Sequence, residues 1–176
     1  MACTLLGLSA FPSDHRLFVG MLGMHGNYGA NILTNEADLI IAVGMRFDDR
    51  VTGNLATYAK QAKIIHIEID PSEINKNVYC DVPLVGDAKN ILNLLLPELI
   101  FNKHDSWINK FYECNKTEFS KVIKNELAIC ENKNLKMARV IDCLSEMTFG
   151  NAIIVTDVGQ HQMSTARYYK FKTKNS

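Results

Sequence analysis

Apolar residues in the first hundred positions come in short runs, each closed by a turn-former or an acid. Leu39, Ile40, Ile41, Ala42 and Val43 run together and stop at Gly44. Ile64, Ile65, His66, Ile67 and Ile69 lie in a stretch, Lys63 to Asp70, that closes on Glu68, Asp70 and Pro71, and Val82 to Val85 runs into Gly86 and Asp87. Short β-branched runs bounded in this way predict strands. Behind the third run, Ile91, Leu94, Leu95 and Leu99 recur at helical spacing, with Asp87 placed as the helix cap. From Thr4 to about Leu99 the chain therefore alternates strand and helix, which predicts an α/β fold built on a mostly parallel sheet.

The pattern changes after Phe101. Trp107, Phe111, Phe119, Ile123, Leu127 and Cys130 recur at intervals of three, four or their sums, which predicts one amphipathic helix, with a single break left open. The cluster Glu131-Asn132-Lys133-Asn134 predicts a turn. A further helix carries Met137, Val140, Ile141 and Leu144, and Ala152, Ile153, Ile154 and Val155 predict another buried strand ending at Asp157. The apolar stripe on the long helix is a packing face and is assigned no chemistry.

With 176 residues, there is length for one domain with a sizeable core. Formal charge is zero, with 19 basic and 19 acidic residues, so the chain lacks the electrostatic footprint of a nucleic-acid binder. No apolar run approaches the roughly twenty residues that span a bilayer, and the first residues lack a secretory pattern. Cys3, Cys80, Cys114, Cys130 and Cys143 form no Cys-x-x-Cys pair, which argues against a zinc ribbon or a disulfide framework and makes reduced thiols the default.

Candidate chemistry gathers between Gly20 and Arg50. Gly20, Gly23, Gly26 and Gly29 allow close backbone approach to a bulky ligand. Past the first strand come Arg46, Phe47, Asp48, Asp49 and Arg50. Guanidinium forks suit phosphate oxygens, and the carboxylates accept from hydroxyls or hold the arginines. A pyrophosphate-bearing nucleotide fits this mixture, as does a solvated ion-pair loop with turn glycines, and spacing alone leaves the two even. Glu68 and Asp70, roughly twenty residues further on, stand where dinucleotide folds present a ribose-binding carboxylate. Three such strand ends in one sheet favour the site.

These residues also carry a family resemblance. Thr4-Leu5-Leu6-Gly7-Leu8, Met21-Leu22-Gly23-Met24-His25-Gly26, Val43-Gly44-Met45-Arg46-Phe47-Asp48-Asp49-Arg50, Ile65-His66-Ile67-Glu68-Ile69-Asp70-Pro71, Gly86-Asp87 and Thr156-Asp157-Val158-Gly159-Gln160-His161-Gln162-Met163 follow one another in the family's order. Together they resemble the catalytic large subunit of acetohydroxyacid synthase, also called acetolactate synthase, across nearly the whole chain. The resemblance implies a three-domain thiamine-diphosphate enzyme. Its first domain binds the aminopyrimidine end of thiamine diphosphate, its middle domain binds FAD, and its third domain binds the diphosphate through Mg²⁺.

On that reading the chain begins inside the middle domain, near a strand at Thr4 to Leu8, and stops soon after the third domain starts. Residues 1–100 are then a partial, Rossmann-like (DHS-like) FAD-binding domain, 101–150 a helical linker, and 151–176 the first strand and helix of a truncated thiamine-diphosphate domain. The family's activating glutamate and its Gly-Asp-Gly metal motif match no segment here, so the resemblance assigns this chain no catalytic residue and no metal ligand.

Individual roles follow by resemblance. Thr4, Leu5 and Leu6 look like a strand end lining the flavin pocket, and Gly23, Met24, His25 and Gly26 look like the loop beside the isoalloxazine ring. Gly44, Met45, Arg46, Asp48, Arg50 and Val51 are similar to the segment around the ribityl and pyrophosphate. Glu68 and Ile69 match positions at the adenosine, and Gly86, Asp87 and Ala88 close the adenine end. Gln160, His161, Gln162 and Met163 match the family's segment near thiamine diphosphate. His25 is expected to shape the pocket and not to act as a base. His66, inside a strand, is expected to be a satisfied structural histidine. One departure stands out: Ser164 occupies the place where the family usually has Trp.

The implied activity of the full enzyme is condensation of pyruvate with pyruvate or 2-oxobutanoate, giving 2-acetolactate or 2-aceto-2-hydroxybutanoate for branched-chain amino-acid synthesis, with FAD architectural. The implied partners are a second large subunit, as homodimer or tetramer, and a regulatory small subunit. The chain alone is expected to be inactive. No membrane and no nucleic-acid partner is expected, and the expected location is the cytoplasm, with plastid or mitochondrion left open. Two rival readings are a stand-alone nucleotide-binding module and an inactive fragment with an exposed sheet edge.

Overall fold

The computed structural model describes residues 1–129 and 134–173. Cys130 and most of the predicted Glu131–Asn134 turn lie outside the described residues. The chain divides into two compact units, one of Met1–Asn31 with Ser106–Ser176, the other of Ile32–Asp105.

The second unit carries the sheet. Strands β1 (Leu39–Val43), β2 (Lys63–Glu68) and β3 (Val82–Val85) lie in the order β1-β2-β3, and both pairings are parallel. The α/β prediction with a parallel sheet therefore holds. Ile40 sits opposite Ile64, and Ala42 opposite His66. That face is covered by the connecting segments: Phe47, Tyr58 and Ala59 from the β1–β2 connection, Ile74, Val78 and Cys80 from the β2–β3 connection. The first connection contains the short helix α2 (Asp49–Thr52). It is pinned where the Asn35 side-chain oxygen accepts from Ala59 N and Gln61 Nε2 donates to the carbonyls of Asn35 and Ala37.

The other face of β1 differs from the buried strand that an unbroken apolar run suggests. Leu39 and Ile41 are 47% and 56% exposed, because no described element covers them. Continuity of the run reports that both faces are apolar; it does not report that both are packed. Pro83 sits on β3, whose outer edge bears no strand among the described residues, a position that tolerates the missing amide. Helix α3 (Ala88–Leu95) follows β3 as predicted. The Asp87 carboxylate caps it by accepting from Asn90 N at 3.0 Å.

In the first unit, Cys3 and Met21 form a single parallel bridge, flanked by Cys3 N to Gly20 O and Leu22 N to Cys3 O. The strand expected at Thr4–Leu8 stops there: Thr4 Oγ1 accepts from Gly7 N and turns Leu5–Gly7 into one 3₁₀ turn. Helix α1 (Tyr28–Glu36) starts just after this region. The long amphipathic helix is realised as α4 (Asp105–Glu118), a π-helical turn at Phe119–Ile123, and α5 (Lys124–Leu127). The buried face of α4 runs through Phe111 and, two turns on, Glu118, which is only 6% exposed, while Phe119, the first residue of the π turn, is 53% exposed.

Helix α6 (Met137–Met147) forms over the predicted residues, but Met137, Val140 and Leu144 are exposed and its buried positions are Ala138, Asp142 and Ser145. After it, Ala152–Val155 pairs with no strand among the described residues, and Ile153 and Val155 are 77% and 89% exposed. A parallel strand needs a neighbour to satisfy its amides, and the described residues supply none for this run. Helix α7 (Gln160–Tyr168) follows, and Tyr169 locks its end: its hydroxyl bonds Thr148 Oγ1 and accepts from Ala152 N.

Tyr58 provides a direct stability test. Its hydroxyl is buried without a hydrogen-bond partner, and burial pushes its pKa up to about 12. Because the folded value lies above the unfolded one, the fold is favoured below about pH 10 and loses that contribution as pH rises towards about 12. Tyr58→Phe is expected to hold or raise stability near neutral pH, by up to ~1 kcal/mol, since the orphaned hydroxyl is removed. It is also expected to flatten the alkaline loss, and denaturant midpoints measured across the alkaline range check both.

Candidate nucleotide site and family relationship

The carboxyl ends of the three strands lie side by side. Gly44 N donates to Ile67 O and Gly86 N to Glu68 O, each at 2.9 Å, so the segments after β1, β2 and β3 leave the sheet at one edge. The predicted residues Gly44, Met45, Arg46, Asp48, Arg50, Val51, Glu68, Ile69, Gly86, Asp87 and Ala88 all belong to those segments. Ligands of open α/β sheets bind outside this edge.

The turn after β1 is built around Phe47. Its φ of 53° is left-handed and its side chain is only 2% exposed. The ring lies edge-on to His66, with centroids 5.1 Å apart, and to Tyr58 at 6.2 Å. A left-handed non-glycine residue costs of order 1–3 kcal/mol. Burying a phenylalanine returns roughly 1.5–3 kcal/mol, so the anchor offsets the turn. His66 Nε2, in the tautomer that carries hydrogen there, donates to Met45 O at 2.9 Å. The expectation of a satisfied structural His66 holds for one ring nitrogen, while Nδ1 is buried without a partner. Asn77 Nδ2 donates to Arg46 O.

With Phe47 turned inward, its neighbours face outward. The Arg46 side chain is 70% exposed and meets Asp48 through Nε and Nη2, each 2.9 Å from Oδ2. Asp48 also caps α2, its Oδ1 accepting from Arg50 N at 3.1 Å. The arginine is thus oriented by a carboxylate yet open to an anion, which combines both roles read from the sequence. Gly44 has a φ of 59°, and no atom lies within 4 Å of where a Cβ would stand. The space at the turn is open.

At β2, Glu68 folds back, Oε1 accepting from Ile69 N at 2.8 Å and Asp70 N at 3.3 Å. Its second oxygen makes no bond to a described residue that would occupy it as a cap. Asp70 is a turn-former: hydrogen bonds from Ser72 hold its carboxyl below the usual carboxylate range. Ile69 is 69% exposed.

The first unit brings together the other predicted group. The Cys3–Met21 bridge sets Thr4, Leu5 and Leu6 beside the Gly23–Gly26 loop. Met24 and His25 are exposed at the loop's tip. Gly26 is packed so closely that a Cβ would stand 2.3 Å from Met21 O. Gln160, His161, Gln162 and Met163 form the first turn of α7, where Gln160 and His161 are exposed and Gln162 and Met163 half-buried. Sequence reasoning missed the residues that hold the loop. Asn27 Oδ1 accepts from Met21 N, and the Asn31 amide bonds both N and O of Gly23. Glu118 and Arg167 also reach it, from 90 and 141 residues along the chain. No local pattern announces such distant partners.

A parallel sheet whose three strand ends converge on an open, arginine-bearing turn defines an open α/β domain of the kind that binds ligands outside its strand ends. Residues 1–95 match the model of the thiamine pyrophosphate enzyme central domain, and the chain belongs to that family. Its sequence is 44% identical to a probable acetolactate synthase large subunit of Methanocaldococcus jannaschii, over 98% of this chain and 30% of the relative. It is 42% identical to the acetolactate synthase isozyme 3 large subunit of Escherichia coli K12, over 97% of this chain and 30% of the relative. Against the acetolactate synthase large subunit of Lactococcus lactis subsp. lactis the identity is 44%, over 96% of this chain and 28% of the relative. The resemblance drawn from motifs thus extends over nearly the whole chain, which spans about 30% of the length of the curated relatives it matches.

Two substitutions separate the anchor from the opening. Phe47→Ala is expected to cost about 3–5 kcal/mol, the range for emptying a buried aromatic position. Gly44→Ala is expected to cost only ~1–3 kcal/mol of backbone strain, because its surroundings are open. Urea denaturation of both variants beside the parent chain checks the order.

Proposed function

We propose that this chain forms the FAD-binding part of an acetolactate synthase large subunit, together with the start of its thiamine-diphosphate-binding part. The observation that carries the reading is the convergence of Gly44, Glu68 and Gly86 at one sheet edge with Arg46 exposed above an open turn. That arrangement suits a dinucleotide: a cation for the pyrophosphate, a carboxylate oxygen at the next strand end for a ribose hydroxyl, and glycines where the cofactor passes close to backbone. Thr4, Leu5, Leu6 and the Gly23–Gly26 loop are the residues proposed for the flavin ring. Gln160, His161, Gln162 and Met163 are those proposed for the vicinity of thiamine diphosphate, where amide and imidazole groups suit its oxygens and Met163 offers apolar surface.

In this reading the whole enzyme joins pyruvate to pyruvate or to 2-oxobutanoate in branched-chain amino-acid synthesis. Thiamine diphosphate with Mg²⁺ supplies the electron sink for decarboxylation when bound. This chain's residues bind and orient: Arg46, held by Asp48, meets phosphate charge, and Phe47, seated on His66, keeps that arginine from collapsing onto the sheet. We further propose a second large subunit and a regulatory small subunit as partners. We also propose a cytoplasmic location; no helix among the described residues is long and apolar enough to cross a membrane.

Arg46→Ala tests the placement. Removing a charge-assisted bond to phosphate is expected to weaken FAD binding by ~10-fold or more, while the fold is unaffected because the side chain is exposed. Flavin fluorescence titration of parent and variant reads the difference, and equal affinities would remove Arg46 from the site.

A further inference from the structure

We propose that Glu118 and Arg167 are positioning residues which clamp the Met21–Asn27 glycine loop, so that the loop and the helix carrying Gln160–Met163 are held as one cofactor-facing piece. The inference rests on the proposed role of that loop beside the flavin, and it deepens that role by naming what sets the loop's shape.

Glu118 is a carboxylate only 6% exposed, on a helix face that otherwise packs apolar residues. Oε1 accepts from Tyr28 N at 3.2 Å, and Oε2 from Asn27 Nδ2 at 3.4 Å. The Arg167 Nη2 group closes on Oε1 as an ion pair. Arg167 Nη1 donates to Gly26 O at 3.2 Å, so one planar fork grips the carboxylate and the loop backbone together. Its Nε is buried without a partner, and its side chain is 20% exposed, so the guanidinium is committed inward.

The remaining bonds around the loop complete the clamp. Gly26 N donates to Gly23 O at 2.8 Å, Asn27 N to Met21 O at 2.8 Å, and Asn31 holds both backbone groups of Gly23 at 2.9 Å. Every tie falls on the loop's base, leaving Met24 and His25 presented at the tip. A buried ion pair is a weak source of stability, because an apolar pair of similar volume often serves as well. What the pair supplies is direction: Gly26 carbonyl, the start of α1 and helix α7 are fixed through one carboxylate. Arg167 lies four residues after Met163 on α7, so the proposed thiamine-side turn and the flavin-side loop share this joint.

The test compares the parent chain with Arg167→Lys and with the double variant Glu118→Leu/Arg167→Met, which removes both charges and leaves neither stranded. Thermal unfolding, amide hydrogen exchange of Gly23–Tyr28 without ligand, and titration with FAD are measured on each. The double variant is expected to unfold near the parent temperature, exchange the loop amides ~10-fold faster or more, and bind FAD ~10-fold more weakly with a changed visible band shape. Arg167→Lys, which keeps the charge but lacks the fork, is expected to restore little of the loop protection. A folded double variant with parent-like loop exchange overturns the clamp. Faster loop exchange with unchanged FAD affinity and band shape overturns its link to the cofactor. If the parent itself takes up no FAD while the loop exchange responds as stated, the clamp stands and the flavin reading of the loop falls.

Discussion

The inward turn of Phe47 is the constraint on which the sheet-edge site depends. A chain leaving β1 must reverse without collapsing onto the sheet, and a left-handed residue does this at an energetic cost. Phe47 meets that cost by seating its ring against His66 and Tyr58. Since successive side chains in such a turn point apart, burying Phe47 exposes Arg46 and orients Asp48 to cap α2. Core packing and site geometry are therefore the same event, and His66, bonded to Met45 O, is part of both.

The three sheet strands, their parallel direction and the Asp87 cap were legible in the sequence because each rests on local information: an apolar run, a glycine stop, an acid one residue before a helix. The strand-end residues were legible for the same reason. Failures fall where the outcome depends on partners. Ala152–Val155 has strand composition, yet no described segment pairs with it. The Thr4–Leu8 strand yields to a single turn once the Thr4 hydroxyl finds Gly7 N. Periodicity placed Phe119 on the packed face, whereas the buried positions of α4 are Phe111 and, seven residues on, Glu118, which leaves Phe119 exposed where the π turn begins. The partners of the glycine loop were illegible throughout, since Glu118 and Arg167 meet it only after folding.

The glycine loop and the Phe47 turn solve one problem in two ways. Each holds a short, exposed stretch of backbone rigid from behind, the first with a ring of polar bonds, the second with an aromatic seat. Rigid presentation lowers the ordering cost of binding, which suits a cofactor that stays bound and shapes its surroundings without turning over. The choice of FAD as the proposed cofactor rests on membership of the thiamine pyrophosphate enzyme central-domain family and on similarity to acetolactate synthase large subunits.

FAD is proposed to sit outside the three strand ends, over the turn that exposes Arg46. The most direct measurement is the visible absorption spectrum of the purified chain after mixing with FAD and removal of the excess, read against protein concentration. Flavin is expected to be retained near one equivalent, with a band resolved by a structured pocket. Loss of all flavin, with the chain shown to be folded by its far-ultraviolet dichroism, would contradict it.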